Sequence, residues 1–316
     1  MRTSVDSAAI RRALGAVEAY LLRESSGAEA LLARREVGLP APGDGAALEA
    51  EAAAVLAAQL DDGSWGGGLL DTAEALLALH ELWEGENRGS GQVERGLDWL
   101  RTRRGAPGRF GDRCDPRRHE AALCHHFLGG FFSPAPPEPP LEAVRLACGA
   151  PVSGDAAARL VASCVALQAK LRWGRYGRDI ELHLEGLRRI VDLWDERAGL
   201  FTVPAFVAAV AALSDARDPR SRDAAARGIA TLVGAQRADG TWPDVDLFQV
   251  LELLERTART GGASPALDAA LYRGAVLLAV SIQDDGTWGQ HAGTRRTLIG
   301  WRVLRHAAQM QEEQSA

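Results

Sequence analysis

The sequence predicts an all-α protein, a single (α/α)6 barrel over residues 1–316, and three observations carry that expectation. A seven-residue phrase occurs three times: Gln59-Leu-Asp-Asp62-Gly63-Ser64-Trp65, Gln236-Arg-Ala-Asp239-Gly240-Thr241-Trp242 and Ile282-Gln283-Asp284-Asp285-Gly286-Thr287-Trp288, the last with its Gln one place late. With weaker echoes at Phe110 and Phe201, the markers fall at 65, 110, 201, 242 and 288, in steps of 45, 91, 41 and 46 residues. The step of 91 is two periods with one marker lost near Gly149-Ala-Pro151. Between markers run Ala/Leu-rich stretches whose interiors lack proline and strand-like alternation. A helix–turn–helix unit at fixed period builds solenoids and closed toroids, and six such units account for nearly the whole chain.

Each element has a local reason. Asp6 to Arg23 shows helical apolar spacing (Ile10, Leu14, Val17, Leu21), and Ser25 to Asp44, with Pro40 and Pro42, reads as a connection, so residues 1–45 form an N-terminal helix and its link. Ala46–Leu60 enters the first turn phrase, and Asp71–Trp83 leaves it with Asp71 or Thr72 as N-cap. Gln92–Arg103 follows, then a Pro-rich loop insertion at 133–140 that reads as a lid or partner surface. Helices resume at Leu141–Cys148, Asp155–Lys170, Asp179–Trp194, Val203–Leu213, Arg220–Gln236, Asp246–Arg259, Pro265–Ile282 and Thr294–Gln309, and the polar tail 310–316 is expected to fray. In each turn phrase, Asp-Gly supplies the reversal, because Gly accepts positive φ and Asp bonds the local backbone. The Gln and Trp read as braces for helix ends.

Composition narrows the classes. A formal net charge of −6 argues against non-specific nucleic-acid binding. Four Cys (Cys114, Cys124, Cys148, Cys164) lack CxxC spacing and read as buried small hydrophobes or a metal pair, not a disulfide framework. There is no signal core and no run of transmembrane length, so a cytoplasmic location is expected. Phosphate-loop and dinucleotide glycine fingerprints are absent.

Three groups of residues could carry chemistry. Asp244 and Asp246 stand directly after the second turn phrase, where a carboxyl at a helix N-terminus either caps the helix or serves as an acid with its neighbour as partner. Seven Arg lie between Arg101 and Arg118, a cationic stretch that suits phosphate oxygens or simply a solvated loop. Asp112, Cys114, His119, Cys124, His125 and His126 gather soft ligands in one short span, which also reads as buried Cys among hydrogen-bonded His.

The repeated Gln-x-x-Asp-Gly-Ser/Thr-Trp turn between paired helices resembles the terpene cyclase and protein prenyltransferase superfamily, and the resemblance covers most of residues 46–305. It implies an (α/α)6 barrel and a terpene cyclase-like enzyme, of isomerase or lyase class, acting on a prenyl diphosphate or polyprene by protonation and carbocation cyclisation. Cyclases of that family that start by protonation use Asp-x-Asp-Asp with the middle Asp as acid, often continuing Thr-Ala-Glu. Gly68-Leu69-Leu70-Asp71-Thr72-Ala73-Glu74 keeps the continuation but has Leu70 at the acid position. Pro243-Asp244-Val245-Asp246-Leu247-Phe248 keeps the first two Asp, so the resemblance makes Asp246 the acid and Asp244 its partner. It also implies aromatic faces for a carbocation, with Phe127, Trp173, Tyr176, Phe206, Phe248 and Trp301 as candidates. Arg109, Arg113, Arg117 and Arg118 would hold a diphosphate, with Mg2+ alongside it and no other cofactor. The prenyltransferases of the same fold imply an alternative, Zn2+ held by Asp112, Cys114, His119, Cys124 and His291 together with a second subunit. A third reading is a barrel without catalysis that binds a hydrophobic ligand or a protein. A homodimer and a peripheral membrane contact complete the expected partners.

Overall fold

The computed structural model describes residues 2–24, 27–84, 91–103, 143–194, 202–262, 264–289 and 293–315. The described chain is all-α in character: twelve α-helices and one two-stranded sheet. The helices are α1 (Arg2–Ala19), α2 (Ala28–Glu36), α3 (Asp44–Ala57), α4 (Leu69–Leu82), α5 (Gly91–Thr102), α6 (Asp155–Arg172), α7 (Arg178–Asp192), α8 (Val203–Ser214), α9 (Pro219–Ala235), α10 (Leu247–Thr257), α11 (Pro265–Ser281) and α12 (Gly293–Ser315). Strands β1 (Ala143–Arg145) and β2 (Pro151–Ser153) lie between α5 and α6.

Four expectations are corrected. The connection Ser25–Asp44 contains helix α2, whose Ala30, Leu31, Leu32 and Ala33 are buried; the intervening prolines lie after it, at its exit. Of the helix expected at Leu141–Cys148, the described residues 143–148 are instead the first arm and turn of the β1–β2 hairpin. Its turn closes through Gly149 N–H donating to the Leu146 carbonyl at 2.7 Å, with Gly149 at φ 79°, a conformation that glycine adopts without cost. Helix α4 starts two residues before Asp71, with Gly68 as its N-cap. The tail does not fray at Gln309: α12 continues to Ser315, and Gln311 Nε2 donates to the Tyr272 hydroxyl at 3.2 Å. The Pro-rich segment 133–140 lies outside the described residues.

The chain forms two compact units. One comprises Met1–Leu48, Arg145–Ala150 and Ile229–Ala316; the other Glu49–Val144 and Pro151–Gly228. In the second unit α4 packs on α6 and α6 on α8, while α5 packs on α4 and α7 on α8. In the first, α12 packs on α10, α11, α1 and α2, and α1 also packs on α11. Each unit has its own buried core: Leu76, Leu79, Leu167, Leu187 and Phe206 in one, Ile10, Leu21, Leu31, Leu271 and Trp301 in the other. Among the described residues no helix is long and apolar enough to cross a membrane.

The three turn phrases fold alike. In each, the Asp carboxylate accepts from both the backbone N–H and the hydroxyl of the Ser or Thr two places on: Asp62 from Ser64 (3.0 and 2.6 Å), Asp239 from Thr241 (2.9 and 2.6 Å), Asp285 from Thr287 (3.0 and 2.7 Å). Those bonds, the hydroxyl's above all, hold all three carboxyls below their ordinary range. The Trp indole N–H reaches back ten residues to a carbonyl in the last turn of the preceding helix: Trp65 to Val55 (2.6 Å), Trp242 to Leu232 (2.7 Å) and Trp288 to Leu278 (3.2 Å). Carbonyls there lack the regular i+4 donor, and the indole supplies one; Val55 also accepts from Ala58 N–H and Leu278 from the Ser281 hydroxyl, each at 3.3 Å.

The Gln brace is present in two copies only. Gln59 Nε2 donates to the Gly63 and Gln92 carbonyls, and Gln236 Nε2 to the Gly240 and Ala270 carbonyls. Their amide oxygens accept from Arg95 and Arg273, whose own carbonyls press against the turn glycines. In the third copy Ile282 occupies the brace position, and the turn glycine Gly286 packs on the Ala16 carbonyl of α1 instead.

Candidate functional site

The second turn phrase delivers the chain to the start of α10, and the candidate site is built there. Pro243 follows the buried Trp242, and Asp244 is exposed in a left-handed conformation at φ 57°. Such a residue is uncommon outside glycine, with Asp among the tolerated exceptions. The reversal at Asp244 sets Asp246 as N-cap of α10, its Oδ1 accepting from Phe248 N–H at 2.9 Å.

The other oxygen meets a cation. Arg296, in the first turn of α12, donates through Nη2 to Asp246 Oδ2 at 2.6 Å, and each side chain is about one-fifth exposed. The same guanidinium donates through Nε to the Cys148 carbonyl in the hairpin turn at 2.8 Å and lies 4.8 Å from the centre of the Phe248 ring. Phe248 is itself buried, edge-on to Trp288 of the third turn phrase at 6.1 Å. One turn along α10, Glu252 accepts from Arg295 Nη2 at 2.5 Å. Burial, with Glu252 and Asp246 nearby, pushes the Cys148 thiol up to about 12, so it is a neutral packing group and not a nucleophile. Cys164 is buried too, and its thiol is pushed up by burial alone.

The remaining expected site residues divide between the units. In the first unit Trp301 is fully buried, its indole N–H donating to Glu18 Oε1 at 3.4 Å with Arg305 over its ring. In the second, Phe206 is fully buried and stacked on Trp194 at 4.1 Å. Trp173 donates to the Leu76 carbonyl at 2.9 Å and meets His80 and Trp83 edge-on. Tyr176 is half exposed beneath Arg217. Only Phe248 is thus brought to the Asp246 locus by a described contact.

Arg109, Arg113, Arg117, Arg118, Phe127, Asp112, Cys114, His119, Cys124 and His291 lie outside the described residues. Of the seven-Arg stretch, Arg101 is exposed and paired with Asp98, and Arg103 stacks on Trp99. Among the described residues there is no group of three His, Cys, Asp or Glu able to hold a metal ion.

The degenerate Leu70 copy has a structural job. Thr72 is buried, donates through Oγ1 to the Gly68 carbonyl at 2.7 Å and accepts from Trp65 N–H at 3.0 Å, closing the turn onto α4. Two functional candidates escape a reading of the sequence. One is Arg296, whose only local signal is the Thr294-Arg-Arg-Thr run after the third turn phrase. The other is Glu255, a carboxyl on the buried side of α10 that burial pushes up, opposed by Arg259 and Arg302. Helical periodicity assigns its position to the core and Arg259 stands at the i+4 spacing of a helix pair, but nothing in the sequence names Arg302.

No protein-family model matches the chain, and no curated protein sequence matches it. Solved structures do match in fold. A protein from Actinoplanes has a TM-score of 0.54 at 18% identity, over 96% of this chain and 99% of its own. A variant of the type II terpene cyclase MstE from Scytonema, in complex with the substrate geranylgeranyl dihydroxybenzoate, has a TM-score of 0.57 at 12% identity, over 97% and 99%. Another MstE variant, in complex with the product merosterolic acid A, has a TM-score of 0.54 at 12% identity, over the same shares. At these identities the likeness is one of fold.

Proposed function

We propose that this protein is a terpene cyclase-like enzyme that acts on an isoprenoid chain by acid-initiated cyclisation. The observation that carries the reading is the fold match, which takes in nearly the whole of this chain and of a type II terpene cyclase holding a geranylgeranyl substrate. The single (α/α)6 barrel predicted from the sequence is part of this proposal; within each unit taken by itself, even-numbered helices pack in succession. Asp246 is the proposed acid and Asp244 its carboxyl neighbour, both at the head of α10. Phe248 offers the nearest aromatic face, and the aromatic and arginine residues named from the sequence complete the proposed substrate contacts. An alkene is a very poor base, so the acid must hold its proton loosely and in a fixed direction. An N-cap position provides the direction, because the Phe248 N–H pins Oδ1, while Oδ2 faces Arg296.

A second reading, a barrel that binds an isoprenoid without converting it, is favoured by one contact. Asp246 Oδ2, the oxygen that would have to carry the proton, already accepts from Arg296 Nη2 at 2.6 Å. The two readings separate in one experiment. Purified protein is incubated with farnesyl diphosphate, geranylgeranyl diphosphate and squalene, and extracts are analysed by gas chromatography–mass spectrometry. The cyclase reading expects a cyclised product that disappears in Asp246→Asn, a substitution that keeps an N-cap acceptor. If no product forms from any chain while the same lipids raise the melting temperature, the binder reading replaces it.

A further inference from the structure

We infer that α1 is a detachable strap. It completes the third turn phrase in the place that the next helix of the chain fills for the other two, but without their brace. It therefore swings off α11 and α12 as a unit while the helices beneath it stay folded. The inference stands whether or not the protein is a cyclase.

The three turns fix the register of α1. A Cβ added to Gly63 would lie 2.9 Å from the carbonyl oxygen of Arg95 in α5, and one on Gly240 2.7 Å from that of Arg273 in α11. On Gly286 it would lie 2.8 Å from the carbonyl oxygen of Ala16 in α1. One helical turn further, Leu277 Cβ and Tyr20 Cβ each stand 3.4 Å from the added atom in the second and third copies. Ala16 thus occupies the place of Arg95 and Arg273, and Ala13 that of Gln92 and Ala270. Ile282 occupies the place of Gln59 and Gln236.

In the first two copies those places carry the brace. Gln59 Nε2 donates to the Gln92 carbonyl at 2.7 Å, and Gln236 Nε2 to the Ala270 carbonyl at 3.1 Å. Their amide oxygens accept from Arg95 Nη2 at 3.1 Å and Arg273 Nε at 2.9 Å. In the third copy both halves are missing together: Ile282 has no amide to donate, and Ala16 has no guanidinium to hold one. The turn itself is intact, since Gln283 N–H donates to the Thr287 carbonyl at 3.0 Å, as Arg237 N–H does to Thr241 at 2.8 Å. The loss falls on the tie between the turn and the helix outside it.

Connectivity makes the same joint weak. Helices α5 and α11 follow α4 and α10 in the chain, so each stays beside its turn even when loosened. Helix α1 is held on α11 and α12 by packing, with Trp301 of α12 donating to Glu18 at 3.4 Å across 283 residues of sequence. The chain leaves α1 through a π-helical turn, Tyr20–Glu24, that packs on α2. Such a turn interrupts the regular helical ladder and gives the chain a place to bend. The swing bares Ile10, Ala13 and Val17, all buried when the strap is docked. An opening of this size lies below global unfolding in free energy.

The test is hydrogen–deuterium exchange of the full chain, read by mass spectrometry. Amides from Ile10 to Val17 should share one protection factor, about tenfold or more below that of α11 and α12. Ile282→Gln combined with Ala16→Arg installs the missing brace and should slow exchange in α1 about tenfold while leaving α5 unchanged. Gln59→Ile removes the brace of the first turn and should quicken exchange in α5 about tenfold. Protection in α1 that equals that of α11 and α12 overturns the proposal, because the strap then opens only when they unfold. Protection that falls steadily toward the N-terminus also overturns it, since that is fraying of a helix end. A folded double variant with α1 exchanging as fast as in wild type overturns it too. Should the double variant not fold, the wild-type profile and Gln59→Ile decide.

Discussion

Three glycine-to-alanine substitutions separate backbone strain from steric contact, and they test whether the turn phrases hold the helices as described. Gly240 sits at φ 89°, and a Cβ added there would lie 2.7 Å from the Arg273 carbonyl oxygen and 3.1 Å from its carbon. The left-handed conformation costs an L-residue about 1 kcal/mol. The clash is with backbone of α11, which cannot rotate away, and overpacking of this kind adds about 2 kcal/mol. Gly38, at φ 69° with nothing within 4 Å of the added atom, has the strain without the clash. Gly15, exposed within α1 and also clear of neighbours, has neither, and alanine there should stabilise by about 1 kcal/mol. For a chain of this size 1 kcal/mol corresponds to about 2 °C in melting temperature. Differential scanning fluorimetry should therefore show Gly240→Ala lower by roughly 6 °C, Gly38→Ala lower by roughly 2 °C and Gly15→Ala higher by roughly 2 °C. The same small loss for Gly240→Ala as for Gly38→Ala would mean that the turn does not press on α11, and the account of the repeat would fail with it.

The indole braces predict a ranking: Trp242→Phe, which removes a bond of 2.7 Å, should cost about 1 kcal/mol in urea unfolding and more than Trp288→Phe, which removes one of 3.2 Å. Equal costs would show that the ring matters and the N–H does not. The turn carboxyls of Asp62, Asp239 and Asp285 are depressed when folded, so their contribution is complete above the unfolded value near 3.8 and is lost as pH falls through the lower folded values. Stability measured by urea titration should fall in that acidic window, and less steeply in Asp239→Asn; an unchanged slope would count against the turn bonds.

Much of the fold is legible because its signals are local. Asp-Gly followed by Ser or Thr folds into the same turn three times, since the bonds that close it, from Ser or Thr to the Asp carboxylate, lie within two residues. Helices such as α8 and α11 begin near their proline and run about as far as their apolar pattern. Thin local signals hide the other elements. Helix α2 is short and flanked by glycine and proline, and its stability comes from burial that periodicity over nine residues barely registers. The segment Ala143–Ser153 is apolar enough for a helix, but Gly149 and Pro151 make it a hairpin. At the site, position 246 could be read either as an acid or as a cap. The cap is visible in the bond to Phe248 N–H, two residues away.

The sequence by itself determined the helical class, the three turns and the carboxyl at the head of α10, because each depends on contacts within a few residues of chain. Only the tertiary structure decided that this carboxyl meets Arg296, fifty residues on, and that the same guanidinium is held by a carbonyl 148 residues away. Charges that far apart in the chain leave no periodic trace in the sequence. They are brought together by packing α12 against α10, and that packing decides which donor the free oxygen of Asp246 meets.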